Sequence, residues 1–192
     1  MGNYLVIGLT GTNAAGKGEI ANYLKKRAFR YFSCSDVLRE GLAKLGKEPS
    51  RDNLIVYGNE LRNKYGAGVL AKRLILKIKS KSIVDSIRNV EEIKELRMLP
   101  HFVLVGVDAP VKLRFKRALK RNRIGDAETL KDFVAKEKRE NTSDPKSQQL
   151  VKCLKEADFK IINNGTVKEL YNKIERIIHH ALPSEQNGVL KR

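Results

Sequence analysis

Seven residues near the start of the chain have the types and spacing needed to hold phosphate groups. The segment Gly11-Thr-Asn-Ala-Ala-Gly16-Lys17 follows an apolar run, residues 4–9, and precedes a helix-like stretch, residues 18–26. Its glycines let backbone N–H groups converge on phosphate oxygens, and the N-terminal end of the following helix adds partial positive charge. Lys17 supplies a mobile cation for the β- and γ-phosphates. A strand, a glycine-bounded loop and a helix in this order predict a P-loop that binds a nucleoside triphosphate.

Eight residues of this segment and of the helix start that follows it are expected to border the nucleotide. They are Gly11, Asn13, Ala14, Ala15, Gly16, Lys17, Gly18 and Glu19. The usual pattern places Ser or Thr after the Lys, where the hydroxyl binds Mg²⁺, but Gly18 stands at that position. Glu19 then brings a carboxylate that should repel the α-phosphate, unless it points away or orders metal-bound water.

Length and composition are those of one domain. A chain of 192 residues is long enough to bury one substantial core, and we expect a domain over 1–180 followed by a flexible tail over 181–192. No run of 18 apolar residues predicts a membrane span, and the chain starts in a strand rather than in a signal peptide. Cys34 and Cys153 have neither disulfide nor metal-site spacing, which favours a reducing, intracellular or cytoplasmic location.

Apolar runs alternate with helical patterns along the chain. The apolar runs predict strands at 4–9, 30–33, 82–86, 102–108 and 159–163. Helical patterns lie near 17–28, 36–45, 51–64, 67–79, 91–98, 111–121, 127–140, 147–157 and 166–180. Several strands are almost wholly apolar, as in a parallel sheet that is covered on both faces. The pattern therefore predicts a three-layer α/β fold around a five-stranded parallel sheet.

The net charge is strongly positive, with 39 Lys and Arg against 22 Asp and Glu, or +17. Two segments, 61–84 and 111–125, carry basic charges and no acid. A basic excess attracts phosphate polyanions, whether nucleotides, coenzymes or nucleic acids. A solvated helix also explains most of the first segment, because Leu70, Leu74 and Ile78 form an apolar stripe at a spacing of four.

The second basic segment is richer in arginine, which is favoured for planar recognition of phosphate. Arg114, Arg117 and Arg121 fall on one face at helical spacing. If the substrate is DNA or RNA, we expect this segment to bind oligonucleotides with a steep salt dependence, and substitutions at Arg114 and Lys116 to weaken that binding.

Four polar residues follow predicted strands, where ligands of parallel sheets bind. Asp36 and Arg39 come after the second strand and share one helical face, although Asp36 could also be only a helix cap. Asp85 ends the third apolar run and resembles the second acidic motif of P-loop enzymes, which holds metal-bound water. Arg88 lies just beyond it; the alternative is a turn Asp with a surface Arg.

The segment Asn163-Asn-Gly-Thr166 follows the fifth strand and predicts a turn with a helix cap. Its backbone at Asn164 and Gly165 could border an adenine ring. Turn chemistry alone also explains these residue types, so both interpretations stay open.

Five segments in this order resemble the adenylate-kinase branch of P-loop kinases, especially small kinases related to adenylate kinase or dephospho-coenzyme-A kinase. They read Gly-Thr-Asn-Ala-Ala-Gly-Lys-Gly, Ser-Asp-Val-Leu-Arg-Glu, Asp-Ser-Ile-Arg-Asn, the stretch 117–123, and Ala-Asp-Phe-Lys-Ile-Ile-Asn-Asn-Gly-Thr. The similarity runs from Tyr4 to about Ile178. It implies ATP and Mg²⁺, a helical acceptor-binding arm over about 36–80, and a mobile lid over about 114–130.

The resemblance also assigns roles to individual residues. Arg39 and Arg88 match arginines that bind the acceptor phosphate, and Arg62 lies on the same arm. Arg117, Arg121 and Arg123 match the lid arginines. Gly18 fits this branch, in which the metal is held largely through water. Cys34 stands where dephospho-coenzyme-A kinases place the first Asp of an Asp-x-Asp motif. The chain therefore departs from the sequence pattern of that activity.

These features predict an ATP-dependent phosphotransferase whose acceptor is a nucleotide, such as a nucleoside or deoxynucleoside monophosphate. Lys17, Arg121 and Arg123 would neutralise charge during transfer, and Asp85 would hold the metal through water. A hydroxyl acceptor would need Asp36 to take its proton. Alternatives are a kinase acting on a nucleic-acid end or modified base, on a dephospho-coenzyme-A-like hydroxyl, or a non-catalytic nucleotide-binding regulator. The oligomeric state, monomer or dimer, remains open.

Overall fold

The computed structural model describes residues 4–122 and 127–182, which alternate between strands and helices. The strands are β1 (Val6–Gly11), β2 (Arg30–Ser33), β3 (Ser82–Ile87), β4 (Phe102–Asp108) and β5 (Phe159–Ile162). The helices are α1 (Lys17–Lys25), α2 (Cys34–Lys44), α3 (Arg51–Tyr65), α4 (Val69–Ile75), α5 (Val90–Leu96), α6 (Val111–Arg121), α7 (Leu130–Glu140), α8 (Leu150–Lys155) and α9 (Val167–Ala181).

The strands form one parallel sheet in the order β2-β3-β1-β4-β5. The predicted α/β fold with a five-stranded parallel sheet is therefore confirmed. After β1 the chain forms β2 at one edge of the sheet. It then returns to the centre, where β3 and β4 pair with the two sides of β1. The carboxyl end of the central strand β1 thus lies between the ends of β3 and β4, which places the loop after β1 at the switch point where such folds bind ligands.

Apolar side chains cover the sheet on both faces. Alternate residues of β1 and the residue before it divide between two cores. Leu5, Ile7 and Leu9 pack with α1 and α9, while Val6 packs on the opposite side with α2, α4 and α5. All six residues of β1 are buried, so the central strand is an apolar run rather than an alternating one. The stripe of Leu70, Leu74 and Ile78 is buried in the second core, as its spacing predicts.

Helix boundaries differ from the sequence pattern at a few points. Helix α2 begins at Cys34, with Ser33 as its N-cap accepting a hydrogen bond from the Ser35 N–H at 3.2 Å. Asp36 lies in the first turn, so the interpretation that it serves only as the cap was wrong. The helix expected over 147–157 is shorter, because the residues before Leu150 form an irregular loop with Gln148 and Gln149 buried.

Helices α6 and α7 pack on each other through a small cluster of their own. Phe133 is fully buried there with Ala118 and Ala127, and its ring tilts against Phe115 at a centroid distance of 5.8 Å. The expected lid over about 114–130 falls on this pair of helices. Residues 123–126, and with them Arg123, lie outside the described residues, as does the expected tail beyond 182.

None of the helices within the described residues combines the length and hydropathy that crossing a lipid bilayer requires.

Candidate functional site

The loop between β1 and α1 has the backbone shape of an anion cradle. Gly16 is the N-cap of α1 and adopts a left-handed conformation with φ of 111°. A Cβ atom at Gly16 would lie 2.2 Å from the Asn163 side chain, and one at Gly11, where φ is 140°, would lie 1.9 Å from the Val107 carbonyl oxygen. Glycine is therefore required at both positions. The backbone N–H groups of Lys17 and Gly18 open the helix and have no acceptor within it, so they can bind phosphate.

Lys17 folds back over the loop. Its Nζ donates to the carbonyl oxygens of Gly11 at 2.7 Å and Thr12 at 2.8 Å. Burial lowers the pKa of the Lys17 ammonium to about 8; Asp85 opposes this shift, and nearby arginines, chiefly Arg88, add to it. The ammonium thus lies over the loop in a crevice already rich in positive charge.

Three arginines of α6 are directed at the loop. Arg117 Nη1 lies 3.5 Å from the Ala15 carbonyl oxygen, and Arg121 Nη2 donates to Asn13 Oδ1 at 3.2 Å. Arg114 donates through Nε to the Ala109 carbonyl oxygen at 2.8 Å and through Nη1 to Glu137. The shared face predicted from their spacing therefore faces the loop.

The expectation that Arg114 belongs to a surface that binds oligonucleotides was wrong. Arg114 is only 6% exposed, because its guanidinium bridges β4, α7 and the phosphate loop. Lys112, Lys116 and Lys120 occupy the solvent side of α6 instead.

Two residues that hold the loop were not identified from the sequence. Asp108, the last residue of β4, accepts a hydrogen bond from the Thr12 hydroxyl at 2.6 Å. Asn163 donates from Nδ2 to the Ala15 carbonyl oxygen at 2.8 Å and is almost fully buried. Their positions at the carboxyl ends of two predicted strands were the available signal, since the ends of parallel strands meet at one edge of the sheet.

Asp85 is held beside Lys17 in an irregular part of β3. The register with β1 shifts here, and Ser86 has a left-handed φ of 63°. Tyr31 donates from its hydroxyl to Asp85 Oδ2 at 3.0 Å, and the Ser86 N–H contacts Oδ1 at 2.5 Å. Burial and the neighbouring Asp85 carboxylate raise the pKa of Tyr31, so this phenol stays protonated and fixes the carboxylate.

A magnesium ion fits this site only through water and phosphate oxygens. In the part of the chain that the structure describes, no three His, Cys, Asp or Glu side chains cluster as metal ligands. Mg²⁺ commonly keeps several waters and uses one carboxylate with substrate phosphates, and Asp85 could hold such waters. A Cβ atom at Gly18 would meet nothing within 4 Å, so the missing hydroxyl is not a result of steric crowding.

Glu19 does not point at the phosphate position. It is exposed, and its Oε2 lies 3.5 Å from the Tyr171 hydroxyl of α9. The carboxylate thus turns away from the loop, which removes the expected repulsion of the α-phosphate. The turn at Asn164 and Gly165 is exposed and precedes Thr166, the N-cap of α9, which forms a capping box with Glu169.

Asp36 and Arg39 form the expected pair on one face of α2. Arg39 Nη1 contacts Asp36 Oδ1 at 2.5 Å, and the two side chains are 42% and 48% exposed. They lie on the helix that leaves the end of β2, next to β3 in the sheet. Solvent still reaches both groups, so a ligand can contact either one.

Arg62 is less available than the sequence suggested. It is 2% exposed, and its Nε and Nη2 donate to Glu92 Oε1 at 3.2 and 2.8 Å. Only Nη1 is left for a ligand, and this buried atom makes no hydrogen bond to any of the described residues. Glu92 also accepts the Arg88 N–H at 2.9 Å through Oε2, so this carboxylate joins α3 to the end of β3.

Arg88 is positioned by a loop that the sequence did not identify. Its Nη1 donates to Gln148 Oε1 at 3.0 Å, and its carbonyl oxygen accepts the Gln149 N–H at 2.7 Å. Asn89 fixes the same loop by donating to the carbonyl oxygens of Pro145 and Ser147. Arg88, Arg62, Arg51 and Gln148 line a small cavity of ≈ 70 Å³ beside α2.

Solved structures with the same architecture include small-molecule kinases. Shikimate kinase from Acinetobacter baumannii, solved with shikimate, matches with a TM-score of 0.58 at 17% identity over 92% of this chain and 94% of that one. A gluconokinase from Sinorhizobium meliloti matches at 0.56 with 10% identity over 95% of both chains. TT1252 from Thermus thermophilus matches at 0.60 with 17% identity over 93% of this chain and 98% of that one. The chain therefore has the P-loop kinase fold.

Comparison of the sequence with those of curated proteins identifies the family. A UPF0200 protein of Sulfurisphaera tokodaii is 34% identical over 179 residues, which cover 92% of this chain and 97% of that protein. A UPF0200 protein of Pyrococcus horikoshii is 27% identical over 187 residues, covering 93% and 98%. The chain belongs to the UPF0200 family. No protein-family model matches it.

Proposed function

We propose that this protein transfers the γ-phosphoryl group of ATP to a nucleotide acceptor, such as a nucleoside or deoxynucleoside monophosphate. The observation that carries this proposal is the placement of Lys17 and its anion cradle at the same sheet edge as Asp85 and Arg88. Phosphoryl transfer depends on positioning and charge neutralisation more than on covalent chemistry. The crevice supplies both.

On the donor side, the loop residues bind and orient the triphosphate. The N–H groups at the start of α1 face the phosphates, and Lys17 exchanges the carbonyl oxygens of Gly11 and Thr12 for phosphate oxygens. Arg117 and Arg121 reach the loop from α6, where they neutralise charge on the transferring group. Arg123, which lies outside the described residues, is expected to act with them. Asn164 and Gly165 are expected to border the base.

Asp85 is the group that would hold metal-bound water. Mg²⁺, when bound with the nucleotide, neutralises charge on the β- and γ-phosphates. Tyr31 and the Ser86 N–H fix the orientation of the Asp85 carboxylate before any ligand arrives. Preorganisation of this kind lowers the cost of reorganising the site during transfer.

On the acceptor side, Arg39 and Arg88 supply positive charge. An acceptor phosphate is already ionised near pH 7 and needs no base, whereas an acceptor hydroxyl needs a carboxylate to take its proton. Asp36 is half exposed and paired with Arg39, so it is the candidate base for a hydroxyl. The orientation of Glu19 toward Tyr171 weighs against a purely regulatory, non-catalytic role.

The test is transfer of label from [γ-³²P]ATP to a panel of nucleotides, coenzymes and oligonucleotides, each resolved chromatographically. We expect transfer to at least one nucleotide and a loss of several orders of magnitude in Lys17→Ala, because the cation at the β/γ oxygens is removed. Lys26→Ala serves as the matched control, since Lys26 is exposed at the end of α1. Near-parental turnover in folded Lys17→Ala protein would contradict the proposal.

A further inference from the structure

The side chain of Asn13 lies in the phosphate loop, and turn chemistry does not account for it. Asparagine is common in tight turns because it tolerates a left-handed backbone and can hydrogen-bond to the chain two residues on. Here the left-handed conformation falls on Ala14, with φ of 57°, and not on Asn13. The amide oxygen of Asn13 instead accepts a hydrogen bond from Arg121, which is 108 positions away. The residue type therefore has a role beyond the turn.

The two ends of the Asn13 carboxamide are not equally satisfied. Oδ1 accepts from Arg121 Nη2 at 3.2 Å, which distinguishes the oxygen from the nitrogen because a guanidinium can only donate. Nδ2 is buried and makes no hydrogen bond to any of the described residues. A buried donor without an acceptor costs free energy, and an oxygen placed beside it would remove that cost. The loop thus contains a neutral donor that suits an oxygen-rich ligand.

The surroundings of Asn13 place this donor at the outer end of a bound phosphate chain. Thr12, the residue before it, accepts a hydrogen bond from the Lys17 ammonium at 2.8 Å, and this lysine reaches the β- and γ-phosphates in P-loop proteins. Arg121 is close enough to the same ammonium to lower its pKa. The N–H groups of Lys17 and Gly18 lie at the other end of the loop, where α1 begins, and face the inner phosphates. An oxygen that meets Asn13, Arg121 and Lys17 together therefore belongs to the terminal phosphate.

We propose that Asn13 is the residue with which the loop distinguishes a nucleoside triphosphate from a diphosphate. Its Nδ2 donates to an oxygen of the terminal phosphate, and its Oδ1 holds the Arg121 guanidinium against the same group. The inference rests on the donor side of the proposed function and deepens it, because it assigns recognition of the terminal phosphate to a neutral side chain in addition to Lys17. A diphosphate keeps the contacts with the start of α1 and lacks the one with Asn13.

A neutral donor suits this position better than a charged side chain. Nearby arginines already lower the pKa of Lys17, and a further cation would disfavour its protonated form more strongly. A carboxylate at the same place would repel the phosphate. An amide orients the terminal phosphate without either effect, and it loses its contact when the phosphoryl group passes to the acceptor.

The experiment measures, by calorimetry in the presence of Mg²⁺, the affinities for ADP and for a non-hydrolysable ATP analogue. In Asn13→Ala the affinity for the analogue relative to ADP should fall about tenfold, the low end for a hydrogen bond to a charged group. Asn13→Asp keeps an acceptor for Arg121 but replaces the donor with a carboxylate oxygen, so the ratio should fall further. Thermal unfolding of each variant verifies that it is folded.

Asn22→Ala and Asn22→Asp are the matched controls, because Asn22 is exposed on α1 outside the loop. Both should keep the parental ratio. The contact with Arg121 is tested by the kcat values of Asn13→Ala, Arg121→Gln and the double variant. The two substitutions should be non-additive, because the loss of either residue also removes the contribution of the other.

An equal loss of affinity for ADP and the analogue in Asn13→Ala would mean that Asn13 only shapes the loop. An unchanged ratio would mean that it does not meet the terminal phosphate, and either result overturns the inference. Additive effects on kcat would overturn the part that concerns Arg121. Label transfer tests the proposed function separately: a lowered ratio without transfer to any acceptor refutes the proposed function and leaves this inference standing. Transfer by a protein whose Asn13→Ala variant keeps the parental ratio does the opposite.

Discussion

At the scale of single residues, the titration of Lys17 connects the fold to nucleotide binding. Its ammonium is buried in a crevice that also contains Arg88, Arg114 and Arg121, and its pKa is lowered to about 8. In the absence of ligand, the protonated form is disfavoured by burial and retained by two carbonyl oxygens and Asp85. Phosphates favour the protonated form, so binding and protonation are linked.

The first prediction concerns pH. Affinity for a non-hydrolysable ATP analogue should weaken as pH rises through about 8, falling by as much as roughly fivefold between pH 8 and 9, because the free protein then loses the Lys17 proton. The phosphates themselves are already ionised in this range. Calorimetry in buffers of different ionisation enthalpy should detect proton uptake on binding. Lys17→Arg should give a flat profile, because arginine keeps its charge; a flat profile in the parental protein would count against this role.

A second residue-level prediction separates the acceptor from the donor. Arg88→Gln or Arg39→Gln should raise the KM of the acceptor about tenfold or more while leaving the affinity for ATP nearly unchanged, because both side chains are proposed to bind the acceptor rather than ATP. Arg176→Gln is the control, since Arg176 is exposed on α9. Steady-state kinetics with separate nucleotide titrations distinguish the two effects. A collapse of ATP affinity would mean that the acceptor-side placement is wrong.

At the scale of elements, the phosphate loop is held by contacts from distant parts of the chain. Asn163, which follows β5, and Arg117 of α6 reach the Ala15 carbonyl oxygen, while Asp108 at the end of β4 holds Thr12. These contacts fix the loop against α6. Helix α6 in turn packs against α7 through the contact between Phe115 and Phe133. Motion of the α6–α7 pair would therefore change the surroundings of the bound phosphates directly.

Among the residues that connect α6 to its neighbours, Arg114 is the one whose substitution should reduce the stability of the protein most. Arg114→Gln should lower the free energy of unfolding by about 3 kcal/mol, because it leaves a largely buried Glu137 without its partner. Lys116→Gln, on the exposed side of the same helix, should change it by less than about 0.5 kcal/mol. Urea unfolding of the two variants measures the difference. Equal stabilities would show that the buried ion pair does not join these elements energetically.

At the scale of the whole molecule, the net charge of +17 is distributed between the site and the surface. The arginines of α6 contact the loop between β1 and α1, while many lysines face solvent. A surface of this kind attracts polyanions from a distance and raises their local concentration. Polymer binding at the surface and transfer in the crevice are therefore separate properties that can be measured separately.

The last prediction tests that separation. Oligonucleotides should bind with log affinity falling against log salt at a slope magnitude above about three. Replacing Lys112, Lys116 and Lys120 together by Gln should reduce the slope magnitude by roughly two, at 0.7 to 0.9 per lost phosphate contact. Transfer to small acceptors should persist, because these lysines face away from the phosphate loop. Failure to detect oligonucleotide binding at low salt would remove the polymer as a partner.

Local sequence patterns determined the elements of this protein. The apolar runs, the spacing of Leu70, Leu74 and Ile78, and the Gly11–Lys17 segment were sufficient to predict the strands, the helices and the loop, because strand and helix periodicity and glycine geometry act over a few residues. The pairing of Asp36 with Arg39 was predictable for the same reason, since one helical turn brings them together.

Only the tertiary structure decided what each arginine does. Arg62 meets Glu92 across 30 positions, and Arg114 reaches Asn13 across 101, so no local pattern could identify either partner. A long cationic side chain on an amphipathic helix can face solvent, a carboxylate or a phosphate, and the topology that places other elements beside it selects among these. The roles of Asn163 and Gln148 depend in the same way on which strand ends and loops meet at the edge of the sheet.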